Sequence, residues 1–493
     1  MKKILLLRTY TEILGRSISP SLGLMYIASS AREYGKSRNL DFQFKILDLN
    51  LYDQEIHERI AEIEAYAPRM IGITGMSFEA ATMHRTAAYL KKALPEVSIV
   101  FGGPYATVSF LKCMQDPCVD FVVIGEGEDS FPELLDRIFS GLDHYRDIRG
   151  IAFREREETV VNEKREYRQD LDNLPFPAWD LIDMEGYFNA SRWQFIQADR
   201  RYMPICTSRA CPYRCVYCHH IFGKSYRPRT PENVFQEIRF LYDRYGVREF
   251  LISDDAFNAQ IGRAIAICDL IIQSGLKIYI TFPNGVRGDI MTDELLHKLR
   301  QAGTYKIVYA VETASPRLQK LIKKNVDLEK LKKVIEKTNR LGMIVHGFFM
   351  LGFPTETREE IMQTVRYALS SKLHIGGFFF VDPFEGTELA EWVREMRPDL
   401  MTADQHSFFS ASRQLSEVPT HEIEKIQRDL YKKFYFNPIR ALSLIMRIPN
   451  KSHILTLMGI WFVMAFKAFR PKKKDAPVPS PDRQNLSLKY QSH

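Results

Sequence analysis

A chain of 493 residues that is 45% hydrophobic and 26% charged is long enough for two or three filled domains and has the composition of an ordinary globular protein. Its net charge of +7 sits at one end: Arg440, Arg447, Lys451, Lys467, Arg470, Lys472, Lys473 and Lys474 fall between residues 435 and 474 without one acid, and the first 434 residues are close to neutral. That distribution argues against a nucleic-acid-binding body and points to a local surface partner for the tail. The cysteine count of 7 is odd and three of the thiols are clustered, which argues against a disulfide scaffold and for a metal site in a reducing cytoplasm.

The apolar start is interrupted by Arg8 and has no small-residue cleavage site, so it reads as a buried first strand and not a signal peptide. Apolar runs at 3–8, 42–48, 70–74, 98–101 and 121–124 alternate with helical patterns near 21–34, 53–65, 79–93 and 130–140. The alternation predicts a doubly wound parallel α/β domain over residues 1–142. Ligands of such sheets lie beyond the carboxyl ends of the strands. Those ends carry the loops 20–23, 75–77, 102–104 and 125–128, where backbone can approach a large ligand. One glycine would signify only a turn; four loops at one edge make Gly23, Gly75, Ser77, Gly102, Gly103, Gly125, Glu126 and Gly127 a candidate binding face.

Residues 143–200 read as a connector, with a strand pair at 150–153 and 159–161. The stretch Leu174-Pro-Phe-Pro-Ala-Trp-Asp180 follows, and its prolines exclude helix. Over 201–400 the alternation restarts in longer units. Strands fit 204–208, 249–253, 277–282, 306–312, 344–352 and 377–381, and helices fit 231–245, 260–274, 292–302, 328–341, 357–371 and 387–395. Six β/α units predict a partial (β/α)6 barrel with its chemistry at the strand C-termini. Residues 401–474 read as a helical, basic extension and 475–493 as a disordered tail. The apolar run 454–466 would make a helix of roughly 20 Å, short of the ~30 Å hydrocarbon layer. Between a buried cap on the barrel, a spanning helix and an interfacial helix, the adjoining lysines favour the last, on an anionic membrane surface.

The stretch Arg209-Ala-Cys-Pro-Tyr-Arg-Cys-Val-Tyr-Cys-His-His220 follows the first barrel strand, and Cys211, Cys215 and Cys218 are spaced C-x3-C-x2-C. Three metal sites compete for this spacing. Zinc would need His219 or His220 as a fourth ligand, at awkward reach and without the usual separated ligand pairs. A ferredoxin-type cluster would need a fourth cysteine, and Cys206 lies in a strand and Cys268 within a helix. The third is a cluster held by three thiolates with one iron left open, as catalytic metals keep a position open. Cys113, Cys118, Cys206 and Cys268 read as free thiols in the core.

This motif in this place resembles the radical S-adenosylmethionine (SAM) superfamily, whose signature is C-x3-C-x-aromatic-C after the first strand of a partial barrel. The resemblance implies that Cys211, Cys215 and Cys218 ligate a [4Fe–4S] cluster and that Tyr217 packs near the adenine. It also implies that SAM chelates the fourth iron and is cleaved on reduction to a 5′-deoxyadenosyl radical. Contacts to SAM are expected from Ser253 and Asp254, from Asn284 and Arg287, and from Glu312, at the ends of the second, third and fourth strands. The loops 352–356 and 382–387 follow the fifth and sixth. Thr313 and Ser315 read as no more than helix caps.

Loops 102–104 and 125–128, with the later 174–182 segment, resemble the cobalamin-binding branch of this superfamily. That branch includes class B methyltransferases and anaerobic magnesium-protoporphyrin monomethyl ester cyclases. It implies a Rossmann-like domain holding cobalamin over the barrel mouth. One departure stands out: the pattern D-x-H-x-x-G is missing from the domain. The only D-x-H is Asp404-Gln-His406, with Phe409 where glycine should be, and His84 falls on a helix. No histidine ligand to cobalt is therefore expected from this domain. The cysteine usage points to a cytoplasmic enzyme, and the resemblance implies that it draws electrons from a donor such as a flavodoxin or ferredoxin. The tail hints at a small, hydrophobic substrate. The expected reaction is methylation at an unactivated carbon, with radical-initiated cyclisation or oxidation as the alternative. A corrin-binding sensor with a structural cluster would not need three cysteines in place of four.

Overall fold

The computed structural model describes residues 2–11, 18–190, 196–401, 411 and 413–451. The apolar run 454–466, the tail 475–493 and Asp404-Gln-His406 lie outside the described residues.

The first sheet has seven strands: β1 (Lys2–Arg8), β2 (Phe42–Asp48), β3 (Met70–Thr74), β4 (Ser98–Gly102), β5 (Phe121–Val123), β6 (Ile151–Glu155) and β7 (Glu158–Val161). Their order is β2-β1-β3-β4-β5-β6-β7. The first five are parallel. The inner strands β1, β3, β4 and β5 read as apolar runs because both faces are covered, while β2, at the edge, alternates along Phe42-Gln-Phe-Lys45. Leu5, Leu7, Ile71 and Ile73 pack on one side, and Ile4, Leu6 and Val100 on the other. The strand pair expected in the connector is β6 and β7, and it adds antiparallel to β5. The sheet thus extends past the expected boundary at residue 142. The helical pattern expected over 53–65 resolves into a single turn of tight helix, Ile56–Arg59, followed by the helix Ile60–Tyr66.

The second sheet contains β8 (Tyr202–Ile205), β11 (Glu249–Ile252), β12 (Tyr279–Val286), β13 (Thr304–Glu312), β14 (Ile344–Leu351) and β15 (Ile375–Phe380). They are all parallel and lie in chain order from β8 to β15, with a helix after each crossover, which is a partial (β/α)6 barrel. A short antiparallel pair, β9 (Ser208–Arg209) with β10 (Arg227–Pro228), brackets the cysteine loop. The expected first barrel strand at 204–208 therefore ends early. Thr207 and Ser208 turn aside to bond the Asp254 carboxylate.

Alternation along β14 defines two faces. Val345, Phe349 and Leu351 pack on the surrounding helices, and His346, Phe348 and Met350 stand on the opposite, half-open face. Ile375, Gly377 and Phe379 of β15 continue that face. Its N-terminal end is closed by Ile196, Ala198, Tyr305, Ile344 and Ile448. At the other end, Met350 packs with Val216 and Tyr217 of the cysteine loop. The barrel interior therefore runs from a sealed floor to the cysteine loop.

The connector locks the two sheets together. Ala178 N donates to Met25 O (3.2 Å) beside buried Trp179, whose indole donates to Glu237 (3.3 Å). Tyr187 donates to Asp48 at the end of β2 (2.8 Å).

Candidate active site

The cysteine loop begins with Ala210 in the left-handed conformation, φ 65°, which turns the chain out of β9. Cys218 N donates to Cys215 O (3.2 Å). Val216 N donates to Ile322 O (3.1 Å) and Leu389 N to Val216 O (2.8 Å), so the loop is stapled to two later barrel loops. Val216 is buried among Leu318, Phe353, Val381 and Leu389. The rings of Tyr217 and Phe353 are 6.0 Å apart.

Cys211, Cys215 and Cys218 lie near enough to feel one another's charge. Burial and the neighbouring Cys215 push the Cys218 thiol up to about 12, and burial also raises that of Cys211. Burial thus disfavours the charged form of Cys211 and Cys218. A thiophilic, multiply charged group is what would stabilise three thiolates here. His219 is exposed, and His220 is held below its ordinary value by burial and by Lys224.

Glu312 ends β13 at a bulge, with φ 66°, a conformation that disfavours a side chain and that clusters at functional sites. Its buried carboxylate lies 3.6 Å from Lys324 Nζ and hydrogen-bonds Tyr217. Burial raises its pKa against the pull of Lys324 and Tyr217. Asp255, next to the expected Asp254, is exposed and lies within charge range of Cys211, Cys218 and His219. Asn284 donates to Ser253 O (2.9 Å), joining the ends of β11 and β12.

Three residues expected to touch cofactors have partners within the protein. Asp254 Oδ1 accepts from Thr207 N (2.6 Å), and Oδ2 accepts from Thr207 Oγ1 (2.5 Å) and Ser208 Oγ (2.6 Å), so it braces the entry to the cysteine loop. Arg287 pairs with Asp289 (2.9 Å), donates to Lys324 O (3.0 Å) and Asn325 O (2.9 Å), and stacks 4.0 Å from the Tyr213 ring. Glu126, from the loop after β5, is buried between Arg209 (3.0 Å) and Arg227 (2.8 Å). Glu128 takes the other end of Arg209 at 2.5 Å. Asp254, Arg209 and the Glu126 and Glu128 carboxylates are buried and Arg287 is half-buried, and a charge taken out of water must find a partner within the fold. Thr313 and Ser315 are turn residues: the Ser315 hydroxyl accepts from Leu318 N and caps the helix Pro316–Leu321.

The carboxyl edge of the first sheet faces the barrel mouth. Gly386, after β15, packs where a Cβ would meet Val108 of the helix Gly103–Val108 at 2.8 Å. Tyr167 bridges Gly125 and Gly223, and its hydroxyl donates to Ile221 O (2.9 Å). Along this edge a Cβ at Gly23 or Gly102 would meet nothing within 4 Å, whereas one at Gly103 would lie 2.2 Å from Thr74 Oγ1. Gly75 accepts from Tyr105 N (3.2 Å), Ser77 opens the turn Ser77–Glu79, and Gly127 packs on Ile27. The edge therefore combines tight turns with open backbone, a form that fits a flat ligand such as a corrin lying over the mouth. His84 bonds Asp116 (2.5 Å) and Tyr105 (3.0 Å) and packs edge-on to Phe101, so it is tied within the domain.

Comparison with known proteins accounts for both halves. Residues 205–368 match the model of the radical SAM superfamily and residues 16–135 that of the B12 binding domain. An uncharacterized methyltransferase of Pyrococcus horikoshii is 30% identical over 446 residues, which is 88% of this chain and 93% of that protein. The chain belongs to the cobalamin-dependent radical SAM enzymes. Cytidylyl-2-hydroxyethylphosphonate methyltransferase of Streptomyces wedmorensis is 29% identical, covering 75% of this chain and 76% of its own. The anaerobic magnesium-protoporphyrin IX monomethyl ester cyclase of Rubrivivax gelatinosus is 22% identical, covering 79% and 69%. The radical SAM methyltransferase TsrM of Kitasatospora setae, solved with cobalamin and a [4Fe–4S] cluster, shares the fold: TM-score 0.65 at 17% identity, over 80% of this chain and 78% of that one. The enzyme's cofactors are accordingly a [4Fe–4S] cluster, SAM and cobalamin.

Several residues of this radical SAM site escaped the sequence reading. Lys324 carries no motif; it reaches Glu312 because Lys323 and Asn325 on either side adopt left-handed conformations. Arg209 and Arg227 could have been suspected, since they flank the cysteine motif, but their acidic partners lie 81 to 101 residues away. Asp255 was overlooked in favour of its neighbour because two adjacent acids at a strand end cannot be told apart without the twist of the backbone.

Proposed function

We propose that this enzyme methylates a carbon of a small, largely apolar substrate held in the barrel interior. The observation that carries this reading is the half-open face of β14 and β15. Phe348 and Phe379 meet edge to face at 5.5 Å, and Met350 leads from them to Val216 and Tyr217 of the cysteine loop. A substrate lying on that face is desolvated by aromatic and aliphatic side chains along its length. At the floor, Lys306 and His346 supply polar groups for a hydrogen-bonding end of the molecule. Among the described residues, His346 Nε2 has no hydrogen-bond partner.

Cys211, Cys215 and Cys218 would hold the cluster. Tyr217, Glu312, Ser253 and Asn284 would line SAM, with Lys324 and Asp255 beside them. Gly23, Gly75, Ser77, Gly102, Gly103, Gly125 and Gly127 would face cobalamin, with no histidine from the domain on the metal. When bound, these groups together supply an electron, a hydrogen-abstracting 5′-deoxyadenosyl radical and a transferable methyl group. The chain's own contribution is to hold the substrate carbon near the cysteine loop and to exclude water from it. A soluble one-electron donor, flavodoxin or ferredoxin, would approach the exposed side of the loop near His219. The setting would be the cytoplasm, with the basic segment 454–474 against an anionic membrane.

Methyl transfer is preferred to cyclisation because the two relatives named methyltransferases are more similar to this chain than the cyclase is. Anaerobic product analysis tests it. S-adenosylhomocysteine formed together with 5′-deoxyadenosine is the expected result, whereas 5′-deoxyadenosine alone with an unmethylated product would establish the cyclisation or oxidation class.

A further inference from the structure

The helix Pro438–Arg447 is amphipathic in the wrong sense. Its charged residues face the protein. Arg440 donates to Phe434 O (3.1 Å), Leu369 O (3.1 Å) and Ser371 O (3.2 Å), and its guanidinium lies 3.6 Å from the Phe434 ring. Arg447 donates to Asn339 Oδ1 (2.9 Å) and O (3.1 Å) and to Ser443 Oγ (2.7 Å). Ser443 meets His374 (3.1 Å), and Leu444 packs on the barrel floor. The aliphatic side chains face outward: Ile439 is 79% exposed, Leu442 59% and Met446 63%. Spaced i, i+3 and i+7, these three share one stripe. Phe436 and Ile445 extend it.

A helix fastened by its arginines while three large aliphatic groups stand in water gains nothing from folding alone; burial of that stripe must come from elsewhere. The charge around it indicates the partner. Lys451 bonds Ile445 O and Met446 O at the end of the helix. Onward in sequence come the apolar run 454–466 and Lys467, Arg470, Lys472, Lys473 and Lys474, with no acid from 435 to 474. An apolar stripe flanked only by cations complements an anionic, lipid surface. Among the described residues no helix is long and apolar enough to cross a membrane, so the contact would lie in the interface.

We propose that the outer face of the Pro438–Arg447 helix is a docking surface for an anionic membrane. Ile439, Leu442 and Met446 enter the boundary between headgroups and acyl chains, while Lys451 and the lysines beyond it meet lipid phosphates. This places the barrel floor against the bilayer and leaves the cysteine loop at the opposite end free for the electron donor. The apolar stripe is an observation separate from the 454–474 segment, whose charge supplies the complementarity, and it extends that contact onto a folded element.

Flotation of the full chain, reconstituted anaerobically, tests it with vesicles of phosphatidylcholine containing about one third phosphatidylglycerol, and with pure phosphatidylcholine. The triple variant I439E/L442E/M446E changes only exposed side chains and should retain wild-type SAM cleavage. Wild type should float with the anionic vesicles, and the variant's partitioning should fall by about tenfold or more. A chain ending after Lys451 should keep measurable binding that the same triple substitution removes. Equal flotation of wild type and triple variant would overturn the docking face while leaving the tail contact standing. Absence of flotation by the wild type would overturn both. Unchanged flotation with a dimer converted to a monomer would assign the stripe to a second copy and likewise overturn the proposal.

Discussion

The four-charge cluster that joins the two domains offers the sharpest test. Arg209 and Arg227 are 6% and 2% exposed, and Glu126 and Glu128 are each 8% exposed, so two positive and two negative charges neutralise one another out of water. The Arg209 side chain also lies between the rings of Tyr26 (5.1 Å) and Phe222 (5.7 Å). Glu126→Gln removes one negative charge and leaves the site with a buried surplus of one positive charge. Breaking such a pair costs about 3–5 kcal/mol, roughly two to four powers of ten in the folding equilibrium. For a domain of this size that corresponds to about 6–20 °C in melting temperature. Because Arg209 stands two residues before Cys211, iron and sulfide per chain should fall in parallel. The double variant Glu126→Gln/Arg227→Gln restores neutrality and should melt above the single variant, although Arg227 also donates to Arg168 O and Phe222 O. Anaerobic thermal melts with iron and sulfide analysis read both quantities. Wild-type melting of Glu126→Gln, or a double variant whose loss is the sum of the two singles, would refute the reasoning. The pH dependence has a definite sign. Burial raises the Glu126 carboxyl, but Arg227 and Arg209 outweigh it and hold the group below its ordinary value. Its contribution is therefore complete above the ordinary carboxylate range, near pH 4.3, and is lost as pH falls further through the lowered folded value.

Cys215→Ala should abolish SAM cleavage, measured as 5′-deoxyadenosine under dithionite; cleavage surviving in cluster-depleted protein would overturn the assignment of the loop. Asp254→Asn leaves buried hydroxyls of Thr207 or Ser208 short of an acceptor, a loss of about 1–3 kcal/mol. It should lower melting temperature and cluster content, while the SAM affinity of the cluster-loaded fraction stays at the wild-type value; a raised dissociation constant there would make Asp254 a SAM contact after all. Glu356 accepts from Gly352 N (2.6 Å) and Phe353 N (3.0 Å), and burial raises its carboxyl to about 8. A raised value means stability that is fully present below the unfolded value of 4.5 and lost as pH rises through about 8. Glu356→Gln keeps the acceptor and should flatten that slope in denaturant titrations between those limits. A variant with an unchanged slope would place the pH dependence elsewhere.

Periodicity made the elements of this enzyme legible. A strand buried on both faces must be apolar throughout, an edge strand alternates, and a helix on a sheet must carry an apolar stripe, so β3, β2 and the helix Pro231–Tyr245 fall within a residue of where their patterns put them. The cysteine loop was legible for a different reason: three thiols in eight residues have few other uses. Pattern failed where partners are distant. The connector strands look the same in sequence whether they pair with each other alone or also with β5, and only the edge of the first sheet decides it.

The sequence alone determined the two-domain α/β architecture and singled out Cys211, Cys215 and Cys218 as the candidate cluster ligands, because both are written in local spacing, where covalent geometry limits the alternatives. Tertiary structure alone decided which protein groups the strand-end charges meet. Asp254, Arg287 and Glu126 each find hydrogen-bonding partners far along the chain or across a turn, which local spacing does not show. Folding also turned the arginines of the Pro438–Arg447 helix inward and its aliphatic residues outward. Composition gives the charge and apolarity of such a segment, but which side faces water depends on the carbonyls it happens to meet, and those of Leu369, Ser371 and Asn339 lie 69 or more positions away.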